Sequence, residues 1–322
     1  MKAAVIQGTG TPVYADIAAP AAPEPDEVLV TMKAVAMKHL DRSRASGTHY
    51  SAESTEAPKV IGSDGVGILP DGSRVYGIGV DGTMAEQALF RRAWCAAVPD
   101  ALDDALAAAL PNAVMGSAMA LRFRAGLQPG ETVLINGATG FTGKVAVQLA
   151  RHYGAGKIIV TGRNEQALRS LAELGADETV SLQQSDEAII SRLKTIHQAS
   201  PLHVILDYLW GKPAELILNA LKGKGNFTPN TRYVSIGAMA GEHIQLSAEI
   251  LRSVDLHLSG SGLGSWTKAQ IGLLFSDMLP QAFELAAAGN LTIAVRTFPL
   301  SAVGNLWEVD LNAGERPVIM IG

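Results

Sequence analysis

The stretch from Thr132 to Arg151 constrains this chain more than any other. Thr132 to Ile135 is an apolar run of the kind that lies buried in a parallel sheet, and it breaks into Gly137-Ala138-Thr139-Gly140-Phe141-Thr142-Gly143. Lys144 to Arg151 then carries apolar residues at helical spacing. Strand, glycine turn and helix, in that order, is the context that gives a glycine fingerprint its meaning. Gly137 permits the tight turn. Gly140 leaves no Cβ in the way of a pyrophosphate, and Gly143 lets the helix pack against the strand. The N–H groups at the start of the helix then face the phosphates.

The spacing is G-x-x-G-x-x-G rather than G-x-G-x-x-G, and glycines alone would also suit an ordinary strand-to-helix turn. The next segment decides between the two. Lys157 to Thr161 is a second apolar strand placed to complete a βαβ unit. About 20 residues past such a motif, an Asp or Glu normally holds the ribose 2′-hydroxyl. That count from Gly143 reaches Arg163, in Thr161-Gly162-Arg163-Asn164. A cation there suits a 2′-phosphate, so the expected cofactor is NADP(H). The residues expected to hold it are Gly137, Thr139, Gly140, Phe141, Thr142, Gly143, Gly162, Arg163 and Asn164.

A chain of 322 residues has room for about two domains, and a hydrophobic share of 48% can fill their cores. The net charge is −5 with no basic run, which argues against nucleic acid or an anionic membrane surface as a partner. The single cysteine, Cys95, excludes an intrachain disulfide framework and a cysteine-rich zinc lobe, and it suits a reducing compartment. The N-terminus turns polar too early for a signal peptide. The longest apolar region, Ala105 to Leu121, is interrupted by Pro111, Asn112 and Gly116, so no membrane span is expected. The expected location is the cytoplasm.

Up to about Pro99 the pattern is mostly β. Lys2 to Ile6 and Val28 to Val35 read as strands, and glycines from Gly62 to Gly82 separate short apolar segments, as in a partly open barrel. Asp103 to Leu110 and Ala113 to Arg124 read as two buried helices. Beyond Arg163, strands and helices alternate. Glu165 to Leu174 reads as a helix capped by Gly175. His203 to Asp207, Arg232 to Ile236 and Leu256 to Gly260 read as further strands. Helices are expected at Lys268 to Leu274 and Pro280 to Ala288. Leu291 to Val295 and Pro317 to Ile321 read as strands that rejoin the N-terminal part.

With these elements in place, the chain resembles a zinc-independent medium-chain dehydrogenase/reductase of the quinone oxidoreductase type. The resemblance runs through Pro58 to Gly67, Arg74-Val75-Tyr76-Gly77, Pro129 to Ile135, the glycine turn and Leu174-Gly175-Ala176-Asp177. It implies an α/β fold in which a doubly wound Rossmann domain is inserted in a GroES-like, mostly β catalytic domain. The implied divisions are 1–112, the first part of the catalytic domain; 113–262, the NADP-binding domain; and 263–322, a return segment. It implies that Asn112, Ser117, Ile236, Gly237, Ala238 and Gly262 join the cofactor site. It also implies a homodimer, with Leu256 to Ser261 as an edge strand pairing across a two-fold axis.

The zinc-dependent members carry a Cys-His pair where this chain has Met37-Lys38-His39, and Gly-His-Glu where it has Gly62-Ser63-Asp64. A catalytic zinc needs about three converging protein ligands. Lys38 would place a cation where the first thiolate belongs, so no metal is expected. Without a metal Lewis acid, alcohol oxidation loses its alkoxide stabiliser. Hydride transfer from NADPH to a quinone, enone or enal needs less help. Tyr50, with Lys38 or His39 nearby, is the expected donor to the developing oxygen anion; Asp41, His49, Ser63 and Asp64 complete the substrate-side candidates. Tyr50 also suits a packed loop aromatic, and His39 an ordinary loop histidine. Two other readings stay open: an enoyl-thioester reductase, which would need a basic entry groove, and a non-catalytic NADPH-binding sensor or structural protein.

Overall fold

The computed structural model describes residues 1–8, 10–47, 57–307, 309 and 314–322. In chain order the elements begin with β1 (Lys2–Ile6), β2 (Val13–Asp16), β3 (Glu27–Ala36), α1 (His39–Ala45), β4 (Lys59–Val60), β5 (Asp64–Ile68), β6 (Arg74–Gly79), β7 (Gln87–Ala97) and α2 (Asp104–Met119). The middle of the chain forms β8 (Thr132–Asn136), α3 (Phe141–His152), β9 (Lys157–Gly162), α4 (Glu165–Ser170), β10 (Glu178–Ser181), α5 (Asp186–Ala199), β11 (Val204–Asp207), α6 (Gly211–Leu221), β12 (Thr231–Ser235), α7 (Ala248–Ser253) and β13 (Leu256–Gly260). The rest forms α8 (Lys268–Leu273), α9 (Leu279–Ala287), β14 (Ala294–Pro299), α10 (Val303–Leu306) and β15 (Glu315–Met320).

The chain divides into two compact units, one of Met1–Pro111 with Ile271–Gly322 and one of Asn112–Gln270. In the first, a six-stranded sheet runs β14-β15-β3-β5-β6-β7, and a further β3–β7 pairing curls four of these strands into a partly closed barrel. All of its pairs are antiparallel except β14–β15. A smaller sheet, β2-β1-β4, uses the N-terminal strand. Val30, Met32, Phe90, Val303 and Ile319 lie in the core. The last strands therefore return to the N-terminal part, because β15 pairs with β3.

The second unit is a six-stranded, wholly parallel sheet in the order β10-β9-β8-β11-β12-β13. Counted from β8 as the first strand, this is 3-2-1-4-5-6, the order of dinucleotide-binding sheets. The chain reverses direction of progress between β8 and β11, which opens a crevice at their carboxyl ends. Leu134, Ile159, Ile205 and Tyr233 fill the sheet's interior, against Ile189 and Leu193 of α5 and Leu216 and Ile217 of α6.

Three local expectations are corrected. The two helices around Pro111 are one helix, α2, which holds Pro111 in its middle and continues as a π turn over Ala120–Arg124. An interior proline costs about 3 kcal/mol, but Ala107 to Leu110, Ala113 and Val114 are all buried, and that packing outweighs the lost hydrogen bond. The run Asp104–Arg124 is long and apolar enough to cross a membrane, yet 72% of its apolar window is buried inside the protein, as in a core helix. Second, α4 stops at Ser170; turns carry the chain through Gly175, whose φ is +107°. Third, the strand expected from Leu291 begins at Ala294 instead.

Candidate functional site

The glycine turn forms the crest between β8 and α3. Gly137 has φ +87°, a conformation side chains resist, and a Cβ there would lie 2.9 Å from the Leu209 side chain. Gly140 is the N-cap of α3 and is exposed; a Cβ there would approach only the Gly137 carbonyl, at 3.8 Å. The space above the helix start is open, and Gly140 has no side chain to engage the first N–H groups, which a helix leaves without intrahelical partners. Gly143 is buried, and its Cβ would lie 2.5 Å from Ala138 Cα. The close packing expected of Gly143 is thus against the turn itself rather than the strand.

Gly162 ends β9, where a Cβ would sit 2.5 Å from Thr139 Cγ2, so the second strand's end is fitted to the turn. Arg163 follows it, exposed. The Asn164 side chain caps α4 by accepting from Ala167 N at 2.9 Å. Arg163, Asn164, Glu165 and Gln183 line a cavity of about 560 Å³ beside the turn. Phe141 is buried and Thr142 half-buried on the first turn of α3.

On the other side of the crevice, Ile236 and Gly237 follow β12, and both N–H groups donate to the Asp207 carbonyl, at 2.8 and 3.2 Å. A Cβ on Gly237 would lie 2.8 Å from the Tyr208 carbonyl. Ala238 is half-buried next to it, and Asn112 half-buried in α2. Gly116 of α2 faces Ile236 and Thr142, each 3.6 Å from its ideal Cβ. Ser117, which the resemblance puts in the cofactor site, packs on the inner side of α2. It is fully buried, and its hydroxyl shares a 2.9 Å hydrogen bond with Tyr208. Gly262 is exposed just past β13 and donates its N–H to Ser265 Oγ.

Lys38 belongs to the first unit, and it is 3% exposed. Its ammonium donates to Asp64 Oδ1 and to the Ala36 carbonyl at 2.9 Å, and lies 3.2 Å from Asp41 Oδ2. Tyr76 donates to the other Asp64 oxygen at 2.5 Å, and Ser63 to Asp41 Oδ1 at 2.7 Å. Arg316 is buried among them and interacts with both carboxylates. Burial alone would push the Lys38 ammonium down, but Asp41 and Asp64 outweigh it and the net shift is upward. Burial, then the Asp64 charge, raises Tyr76 well above the usual phenol range. The Lys38 ammonium is therefore buried with its donors engaged by protein acceptors. His39 begins α1 and is exposed; desolvation, then Arg316 and Arg42, hold its imidazole below the ordinary histidine range. Tyr50 and His49 lie outside the described residues.

A family model described as zinc-binding dehydrogenase matches residues 142–286. The probable NADPH-dependent quinone reductase tdiC of Emericella nidulans is 28% identical, over 96% of this chain and 96% of its own length. An alcohol dehydrogenase superfamily protein from Novosphingobium aromaticivorans is 26% identical and superimposes over 100% of both chains with a TM-score of 0.82. The chain is thus similar, over nearly its whole length, to quinone oxidoreductase-like medium-chain dehydrogenases/reductases. Escherichia coli quinone oxidoreductase, solved in complex with NADPH, shares this fold with a TM-score of 0.82 at 21% identity, over 99% of this chain and 100% of that one.

One part of the site has almost no signature in the sequence. Asp207, 0% exposed, accepts on Oδ1 from Asn136 Nδ2 (2.7 Å), Leu209 N (2.8 Å) and Trp210 N (3.1 Å), and on Oδ2 from Tyr233 OH (2.6 Å). Asn136 in turn accepts from Thr161 Oγ1 at 2.6 Å, and that hydroxyl accepts from Gly137 N at 3.2 Å. The one available signal was an Asp closing an otherwise apolar strand, in His203-Val204-Ile205-Leu206-Asp207.

Proposed function

We infer that this chain is an NADPH-dependent oxidoreductase acting on a quinone or an α,β-unsaturated carbonyl compound without zinc. The observation that carries the reading is the glycine crest at the switch point of a 3-2-1-4-5-6 sheet, with Arg163 and Asn164 at the end of its second strand. The crest fits a dinucleotide. Gly140 is exposed with open space above it, in a place a side chain would fill. The first turn of α3 would hold the pyrophosphate, Arg163 and Asn164 the 2′-phosphate end, and Ile236 to Ala238 with Gly262 the opposite end. The bound cofactor supplies the hydride; the chain's residues bind and orient it. The E. nidulans relative, by name an NADPH-dependent quinone reductase, supports the same cofactor and acceptor.

The absence of zinc is supported by Lys38. A buried ammonium paired with Asp41 and Asp64 is a fixed positive charge where the first metal ligand would stand, and it opposes a divalent cation. Tyr50 as donor to the developing oxygen anion, with His39 nearby, is retained as part of the proposal. A homodimer through β13 and a cytoplasmic location complete it. The test is NADPH oxidation across quinones, enones, enals and enoyl-CoA, with elemental analysis of the same preparation. Turnover of quinones or enones without stoichiometric zinc is expected. Turnover of enoyl-CoA alone would transfer the assignment to a thioester reductase, and NADPH binding with no oxidation to a sensor.

A further inference from the structure

The buried chain Thr161–Asn136–Asp207–Tyr233 has no part in the site as assigned from sequence, yet it crosses the whole crevice. It joins β9, β8, β11 and β12 in their spatial order, at the carboxyl ends where the crevice opens. Its hub is Asp207. Four donors converge on the carboxylate, and its own carbonyl takes two more from Ile236 and Gly237. Trp210, one of the donors, is the one non-glycine residue with positive φ among the described residues, at +54°. Such a backbone persists only where its surroundings over-determine it. Asp207 does so by accepting from Leu209 and Trp210 at once. Leu209 in turn lies directly under Gly137, so the turn and the 208–210 loop are fitted to one another.

We propose that Asp207 is a positioning residue for the dinucleotide: it holds the glycine turn on one side of the crevice and the Ile236–Gly237 turn on the other at a fixed separation. Neither turn makes that separation by itself. On the first side the connection runs through Asn136 to Thr161, whose hydroxyl and carbonyl receive Gly137 N and Ala138 N. On the second it runs through the Asp207 carbonyl and the Tyr233 hydroxyl. At the 2′-phosphate end, neither Arg163 nor Asn164 takes part in this chain of bonds, and the Asn164 side chain caps α4 instead. Asp207 therefore sets affinity for the dinucleotide as a whole without setting the choice between NADPH and NADH.

The proposal rests on the cofactor reading above, and one set of titrations separates the two. Wild-type protein is titrated with NADPH and with NADH by cofactor fluorescence, beside Asp207→Asn and Tyr233→Phe. If wild type binds neither cofactor, the cofactor reading fails. If it binds, Asp207→Asn is expected to raise both dissociation constants by at least about tenfold and leave their ratio within about twofold. Tyr233→Phe, which loses one donor and keeps the ring, is expected to raise both by about two- to fivefold. In steady state the loss should fall on KM for NADPH, with kcat at saturation within about threefold of wild type. Folded variants, judged by a cooperative melt, with wild-type dissociation constants would overturn the proposal, because a purely structural aspartate lowers the melting temperature alone. If Asp207→Asn fails to fold, Tyr233→Phe decides by the same criterion.

Discussion

Arg163 is where one side chain separates two cofactors. It is exposed, so its contribution is a charge-assisted hydrogen bond made in water, worth about 1.5–3 kcal/mol at most. Arg163→Ala is expected to weaken NADPH binding about tenfold or more and to leave NADH nearly unchanged. Equal losses for both would place the 2′-phosphate elsewhere. Gly143 shows the opposite kind of residue, one that no ligand needs to touch. Its hydrogen faces backbone, Ala138 Cα and the Gly137 carbonyl, which cannot rotate away as a side chain would. Gly143→Ala should therefore cost about 1–3 kcal/mol through overpacking, visible as a lower urea midpoint. An unchanged midpoint would mean that the turn yields. Both residues were identifiable in the sequence, because each follows from local spacing. Asp207 was not, because its partners Asn136 and Tyr233 lie 71 and 26 positions away.

The elements follow the same division between local and distant causes. β1, β8 and β11 are legible because an apolar run bounded by turns states its own limits. α2 runs through Pro111, where sequence alone marks a break, because burial of its neighbours overrides the cost of one proline. The Lys38 cluster is also tertiary: it fastens the end of β3 and the start of α1 to β5 and β6. Lys38→Met keeps an unbranched side chain one atom shorter and removes the charge, leaving Asp41 and Asp64 with Arg316 as their remaining buried cation. Breaking a buried pair in this way costs about 3–5 kcal/mol, so a fall of that size is expected in denaturant titration. A variant as stable as wild type would show that the ammonium is dispensable. The pH dependence has a definite sign. Because the Lys38 pKa is raised on folding, its stabilisation is complete below the ordinary lysine value of about 10.4 and fades only as pH climbs through the higher folded value. It contributes no slope between neutral pH and pH 9.

At the scale of the whole molecule, two compact units share one chain, and among the described residues β13, one of the two outer strands of the parallel sheet, pairs only with β12 and leaves its outer edge open. β13 carries Leu258, 38% exposed, on that edge. Pairing β13 with its counterpart in a second copy would cover both edges at once. Sedimentation at micromolar concentration is expected to give a dimer, and Leu258→Lys to shift it toward monomer; a monomeric wild type would remove β13 from the interface. The parallel sheet was foreseeable because strand and helix alternate along the sequence. The individual substrate within the quinone and enone class was not, since His39 and Tyr50 mark no particular acceptor by themselves and Tyr50 lies outside the described residues. The central claim is reduction of an electrophilic carbon by hydride from NADPH. Its most direct test supplies NADPH deuterated at both transferable positions together with an enone, and examines the product by mass spectrometry. The expected product carries a single deuterium, on the carbon β to the carbonyl. A product without deuterium, or no product from either an enone or a quinone by a protein that binds NADPH, would contradict it.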